Sequence, residues 1–480
     1  MIRFHFRLKL FVTMALMMWL LASGCRVPAL TQADEKLPMP SAYDNSADTS
    51  NSADLGRKLF YASPHLDALL DTVLKNNYDL KIAMQRIQAA QATVLQSRGM
   101  LLPQVNATGS PSLRKFGLYT MDGAGNIVTD IEPGKLVPEN LPDYYLGIQT
   151  SWEIDVWGKL KNRKKAAVAR VLATTEGKNL VQTTLIAETA AAYYELMAED
   201  QVLRVLDETI LLQEQAVQTA RIQKEAAQVN ELAVQQFEAE LLSVKSRRIE
   251  VLQQIVALEN RINFLAGRFP QQVDRDTSFF ASQSLPLMKA GIPGALLGNR
   301  PDIRQAEWEL AATKADLRAA RAAFYPAFTI SGGFGMQAYR TALLFAFPES
   351  IAYSLIGGLT GPILNRRSIN AEFSRSSALQ QEALLNYQKT VTRGFLEVDQ
   401  EMKRIRHLDQ IYVLKSREKE VLSGSIAVSA ELFRTGRANY LEVLITRQNA
   451  LRSNIELINT RRNQYFSAIN LYKALGGGWE

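Results

Sequence analysis

The chain has 480 residues, of which 47% are apolar and 21% charged, a balance that excludes disorder over most of its length. It carries 55 basic and 48 acidic residues, and three of the basic ones (Arg3, Arg7, Lys9) stand at the extreme N-terminus. The remaining 52 against 48 is too even to argue for nucleic acid, which needs a clustered basic patch, and the single Cys25 excludes an internal disulfide.

The basic start is followed by an apolar run from Leu10 to Leu21, then by Ala22, Ser23 and Gly24 ahead of Cys25. A run of about 12 residues is too short for a bilayer, which takes roughly 20 helical residues. Residues 1–24 therefore read as a cleavable secretory signal, with an uncleaved anchor as the alternative. Cys25 resembles the acylated cysteine of a bacterial lipobox, although Ala22 stands where a large aliphatic residue is usual and Leu21 lies one place earlier. With Arg26 rather than Asp next, that resemblance implies sorting to the outer rather than the inner membrane. Beyond Cys25 no long uninterrupted apolar run recurs, so no transmembrane helix is expected. A membrane crossing would have to be made by strands closed into a barrel.

Next in chain order, Asn77-Tyr78-Asp79-Leu80 opens an Ala-rich segment ending at Leu102-Pro103. With Asp79 as N-cap and Pro103 as stop, it predicts a helix of about six turns. Gln104–Ser110 opens a strand. In Tyr144–Asp155 one face carries Tyr144, Leu146, Ile148, Thr150, Trp152 and Ile154, and the other Tyr145, Gly147, Gln149, Ser151, Glu153 and Asp155. Residues 159–228 contain no proline and predict a helix of about 100 Å. Phe237, Leu241, Val244, Val251, Ile255, Leu258, Ile262 and Leu265 then keep a 4-3 spacing broken only by Arg248, a coiled-coil seam. A second, weaker stripe (Leu242, Ile249, Leu252, Val256) suggests a second neighbour, as in a ring of helices; one broad face in an ordinary bundle is the alternative.

The plan then repeats. Arg300-Pro301-Asp302-Ile303 to Tyr325-Pro326 matches the first short helix, with Arg321 at the place of Arg98. Phe328–Gln337 and Ile351–Leu359 alternate as strands. Residues 366–435 form the second long helix, and Leu444, Leu451, Ile455, Ile458, Tyr465, Ile469 and Tyr472 the second seam, broken at Gln448 and Arg462. Four strands of period two, apolar on one side and polar on the other, suit a transmembrane barrel, yet the smallest such barrels have about eight. Either several copies close one barrel or the strands do not span a membrane. The loops Lys115–Pro142 and Met336–Ser350 would be the long external ones.

Three stretches, Ser151-Trp152-Glu153-Ile154-Asp155-Val156-Trp157-Gly158-Lys159-Leu160, Arg300-Pro301-Asp302-Ile303-Arg304-Gln305-Ala306-Glu307 and Leu471-Tyr472-Lys473-Ala474-Leu475-Gly476-Gly477-Gly478-Trp479, carry a resemblance. So do Asn77-Tyr78-Asp79-Leu80, Gly361-Pro362-Ile363 and Arg434-Thr435-Gly436. In order and duplication the chain resembles the TolC-like outer-membrane efflux channels, in the lipoprotein branch that serves resistance-nodulation-division pumps. The resemblance implies a mainly α fold with a transmembrane β-barrel. Three copies would form a 12-stranded barrel continuing into a 12-helix periplasmic tunnel, each chain an internal two-fold repeat. It divides the chain into a signal peptide (1–24), a lipidated segment with part of an equatorial belt (25–76), a first repeat (77–266), an equatorial linker (267–298), a second repeat (299–475) and a tail (476–480). The helix-hairpin tips, with Gln228, Val229, Arg434 and Gly436, would meet a periplasmic adaptor bound to an inner-membrane pump. Relatives narrow the pore with Asp rings near the second tip. Here Thr446 occupies the usual acidic position and Glu442 lies one turn earlier, so these two are the pore-gate candidates, with a solvated Glu442 as the plain alternative.

The resemblance implies a homotrimer in contact with outer-membrane lipid and with no nucleic acid, no cofactor and no catalysis. Only His65 and His407 remain beyond the leader, and no HExxH, CxxC or GxSxG pattern occurs. Two other classes stay open. A structural coiled-coil lipoprotein would explain the helices but not the strands, and a same-fold channel could serve protein secretion.

Overall fold

The computed structural model describes residues 28–29, 40, 42–43, 50–52, 55–276, 280, 288–361 and 366–479. The signal peptide and Cys25 lie outside them. The chain divides into two compact units: residues 1–34, 89–171 and 308–384, and residues 35–88, 172–307 and 385–480.

The elements follow in order as α1 (Arg57–Tyr61), α2 (Pro64–Asn76), α3 (Tyr78–Gly99), β1 (Gln104–Arg114), α4 (Met121–Asn126), β2 (Asp130–Glu132), β3 (Lys135–Leu136), β4 (Leu141–Ile154), α5 (Lys159–Glu225) and α6 (Glu231–Leu265). The second half holds α7 (Leu296–Asn299), α8 (Pro301–Ala322), β5 (Ala327–Ala338), β6 (Ile351–Thr360), α9 (Arg366–Arg434) and α10 (Tyr440–Ala474). The expected helices and strands are present within a few residues of their expected ends. The elements α4, β2 and β3, inside the loop 115–142, were not foreseen.

The first unit holds a four-stranded antiparallel sheet in the order β1-β4-β5-β6, whose outer strands β1 and β6 pair with no further strand among the described residues, and the small β2-β3 hairpin. Below it, α5 and α8 are tied by Arg170, which pairs with Asp316 and, at 3.7 Å, with Glu309. Trp157 stacks on Tyr325 at 4.7 Å and donates its indole N–H to the Pro326 carbonyl at 2.8 Å. Trp152 likewise donates to the Leu101 carbonyl at 3.0 Å, so both tryptophans fasten strand ends to helix ends.

The second unit packs α1 and α2 against α5, α6 and α10. Leu66, Leu70, Tyr193, Met197, Ile262 and Tyr472 are among its fully enclosed side chains. Stacked rings join the elements, Phe60 on Tyr472 at 4.1 Å and Tyr194 on Tyr465 at 4.2 Å. The expected seams are buried: Phe237, Val244, Val251, Ile255, Ile262 and Leu265 on α6, and Leu451, Ile455, Tyr465, Ile469 and Tyr472 on α10. Two of their three polar breaks carry specific bonds, Arg248 to Asp207 at 2.5 Å and Gln448 to Glu240 at 2.6 Å. The second stripe of α6 is different: Leu242, Ile249 and Val256 are 66%, 61% and 50% exposed. A matching stripe at seven-residue spacing on α9 (Leu414, Val421, Val428) is also exposed.

The two halves share one junction. The Asn77 side chain donates to the Leu265 carbonyl at the end of α6, at 2.9 Å. Arg300 donates to the Ala474 carbonyl at the end of α10, also at 2.9 Å. Past each helix end a glycine turns left-handed, Gly267 at φ +63° and Gly476 at φ +88°. A Cβ there would come within 2.7 Å of the Asn76 carbonyl oxygen and 2.4 Å of that of Asn299. The short helices of each half thus meet end to end. Asp79 is not the N-cap it was expected to be. The cap is Asn77, whose carboxamide oxygen accepts from the Asp79 and Leu80 N–H groups at 2.8 and 3.1 Å while its Nδ2 donates to Leu265.

Candidate functional site: a two-faced sheet and paired helical tips

Antiparallel pairing puts directly opposed residues on one face. The register aligns Ala107, Ile148, Phe334 and Tyr353 in one row and Gly109, Leu146, Met336 and Ile351 in the next. This face is apolar, and Ile148, Phe334, Tyr353 and Leu355 on it are 49%, 58%, 83% and 79% exposed. The other face aligns Asn106, Gln149, Gly333 and Ser354, and beside them Thr108, Gly147, Gly335 and Ala352. Exposed apolar surface of this extent is costly in water and matches hydrocarbon. At the end of the sheet away from the helices, Gln337 donates to both Asp143 oxygens at 2.9 Å. Glu132, in the unforeseen hairpin, accepts from Lys135 at 2.7 Å, from Arg340 at 3.0 Å and from the Tyr339 hydroxyl. The loops 115–142 and 336–350 are thereby joined.

The tips are a second repeated structure. At the end of α5, Ala227 is left-handed at φ +56°, and the Gln228 N–H returns to the Gln223 carbonyl. At the end of α9, Gly436 is at φ +72°, and the Arg437 N–H returns to the Leu432 carbonyl. Both are Schellman endings, which need a left-handed residue that glycine adopts without strain. Asn230 and Asn439 then cap α6 and α10, accepting from Ala233 at 3.1 Å and Glu442 at 3.0 Å. Beneath the turns Ala216, Val217, Ala220, Val234 and Phe237 form a small core, against which Tyr440 and Leu444 of the other hairpin pack.

Of the residues singled out from sequence, Gln228, Arg434 and Gly436 are exposed at these turns and Val229 is half-buried. Arg434 donates to both Glu431 oxygens at 2.6 and 2.9 Å, and the pairing holds the Glu431 carboxyl below its ordinary value. Glu442 is exposed, and its carboxylate accepts the Asn439 N–H at 3.1 Å, completing a capping box. Thr446 bonds back to the Glu442 carbonyl at 2.7 Å. Sequence reasoning missed Asn230, Asn439 and Arg447. Asn439 was legible as a cap, since Glu442 follows it three residues later; Asn230, with Ala233 at that place, lacked this signal. Nor was Arg447 legible, since its partners are the Leu212 carbonyl at 2.9 Å and Gln213 at 3.3 Å on a distant helix.

A family model described as "Outer membrane efflux protein" matches residues 69–268 and 292–477. Similar proteins include the pyoverdine export outer membrane protein OpmQ of Pseudomonas aeruginosa, 29% identical over 452 residues and 93% of each chain. The cation efflux system protein CusC of Escherichia coli is 26% identical over 454 residues, covering 92% of this chain and 94% of its own. Among solved structures, the outer-membrane channel OprN superposes with a TM-score of 0.80 at 24% identity, covering 94% of this chain and 99% of its own. The open state of the Neisseria gonorrhoeae MtrE channel gives 0.80 at 21%, covering 95% and 99%.

Proposed function

Because the chain belongs to the outer membrane efflux protein family, we propose that it works as a homotrimer, the last stage of a three-part efflux machine. It is an outer-membrane efflux channel; its assembly, partners and gate are the proposal. The observation that carries the assembly is the four-stranded sheet with one apolar face, one polar face and two edges unpaired among the described residues. Free edges are not tolerated in hydrocarbon, so β1 of one copy must pair with β6 of another. Two copies would close about eight strands, whose interior side chains fill. Three copies of a four-stranded sheet close twelve and leave a conduit. The exposed stripes of α6 and α9 are the matching faces for helices of neighbouring copies, which supports a continuous tunnel.

In this reading the tips carrying Gln228, Val229, Arg434 and Gly436 dock a periplasmic adaptor, which links them to a resistance-nodulation-division pump in the inner membrane. Glu442 and Thr446 line the pore near those tips, and residues 25–76 and 267–298 form the belt. Contact between the two belt segments supports this, with Ser52 bonded to the Lys289 backbone at 2.8 Å. Similar proteins are named for pyoverdine export, cation efflux and toluene efflux at nearly equal identity, so cargo choice rests with the pump. Cys25 adds an acyl anchor to a protein that its barrel already holds.

Purified protein tests the assembly. A mass of three copies and conductance in planar bilayers are expected; a monomer, or a trimer without conductance, overturns it. Radiolabelled palmitate should enter the wild type and not Cys25→Ser.

A further inference from the structure

The polar face of the sheet has one row without bulk, Thr108, Gly147, Gly335 and Ala352. Beside it stands Tyr145, paired with Ser110 and Gln337. A tyrosine on this face would be expected to project from it. It lies along the face instead, its hydroxyl donating to the Ile148 carbonyl at 3.2 Å. The hydroxyl occupies the place where three glycines lack a Cβ. Built Cβ atoms on Gly147, Gly335 and Gly333 would stand 2.7, 3.0 and 3.3 Å from it. Gly147 and Gly335 are fixed by the backbone as well, since a Cβ on either comes within 2.6 Å of the opposite strand. Gly333 is not: the three atoms nearest its Cβ would be the Tyr145 hydroxyl, the Ser354 hydroxyl at 3.4 Å and the Ile148 carbonyl oxygen at 3.7 Å, none closer than 3.3 Å. Its lack of a side chain chiefly makes room for the ring.

We propose that the glycine bed holds Tyr145 flat and out of the lumen, and so keeps the channel wide enough at mid-sheet for bulky cargo to pass. The proposal rests on the polar face lining the lumen. In a ring of copies each contributes one such ring, and lifting them together narrows the lumen from every side. Filling the bed should lift the ring, because branched atoms at position 333 overlap the hydroxyl and the Ile148 bond cannot replace that space. Removing the ring should leave the filled bed harmless.

The test places a reporter cysteine at Ser331, on the same face and toward the helical end of the strands. Cys25 has no free thiol once acylated, so the reporter is the reactive one. Intact cells receive a small charged maleimide or a bulky polymer-linked maleimide from outside. The small reagent should label every variant alike. The bulky one should label Gly333→Val about tenfold more slowly than the parent, the effect of a barrier raised by ~1.4 kcal/mol. It should recover in Gly333→Val/Tyr145→Ala, while Tyr145→Ala alone stays near the parent rate. Equal bulky labelling in the parent and Gly333→Val, or slow labelling that persists in the double variant, overturns the role of Tyr145. Failure of both reagents in every variant, with labelling restored in detergent, instead overturns the lumen-facing sheet.

Discussion

Replacing Arg300 with methionine removes the group that joins three helices of the second repeat. The side chain is only 7% exposed, and its guanidinium grips both Asp302 oxygens at 3.0 and 2.7 Å, Glu397 at 2.8 Å and the Ala474 carbonyl at 2.9 Å. These acids hold the Arg300 pKa above its ordinary value against the opposing effect of burial. Gly394 lets the group lie against α9, since a Cβ there would stand 3.2 Å from its Nε. Removing one partner of a buried pair costs about 3–5 kcal/mol. Asp302 and Glu397 remain 24% and 36% exposed, so water screens part of the loss and the low end applies. A loss of about 3 kcal/mol is expected, close to a hundredfold in a local opening constant. Hydrogen exchange reads it directly at the Leu475, Gly476 and Gly477 amides, which bond to the Leu471, Lys473 and Tyr472 carbonyls. Their protection should drop about a hundredfold in Arg300→Met, each tenfold being ~1.4 kcal/mol. Arg300→Lys should recover only part, because an ammonium cannot form the bidentate fork. Unchanged protection in the methionine variant, or full rescue by lysine, would refute the reasoning.

Gly476→Ala should destabilise the same junction by at least about 2 kcal/mol through its left-handed backbone and the Asn299 clash. Gly424→Ala, whose Cβ meets nothing within 4 Å on α9, should stabilise by about 1 kcal/mol, and thermal melts of the two variants should move in opposite directions. Burial, partly offset by Arg462, raises the Glu199 pKa. The unfolded chain therefore ionises this group first, and its contribution to stability falls as pH rises from the ordinary carboxylate range through the folded value. Glu199→Gln should melt higher than wild type at neutral pH, with the gain vanishing below about pH 4; a gain independent of pH would count against the assignment. Ile249→Glu should leave the fold of one copy intact, since Ile249 is 61% exposed, yet prevent trimers in native mass spectrometry. Intact trimers would remove α6 from the interface between copies.

How far the chain could be read beforehand depended on how local each determinant is. Period alone located α6 and α10, because a buried stripe every three or four residues is written into consecutive positions. The sheet was legible for the same reason, but its order was not: Gly147 facing Gly335 joins segments 188 residues apart, and no periodicity records a partner. The small elements α4, β2 and β3 depend on caps and ion pairs, Thr120 to Gly123 and Glu132 to Arg340, within a loop that looks irregular residue by residue. The junctions are the sharper case. Asn77 and Arg300 do one job in the two repeats, each meeting the terminal carbonyl of a helix in its own half. They do it with unlike chemistry, a short amide in one and a long charged fork in the other. Comparison of residue types therefore leaves the equivalence unseen and favours Asp79 and Asp302, which do match. What the repeats share at that point is geometry: a helix start, a helix end, and a left-handed Gly267 or Gly476 that lets one backbone touch the other. Such a junction depends on fit, so the glycines, where a Cβ would strike the opposing backbone, mark the duplication more plainly than the bonding residues do.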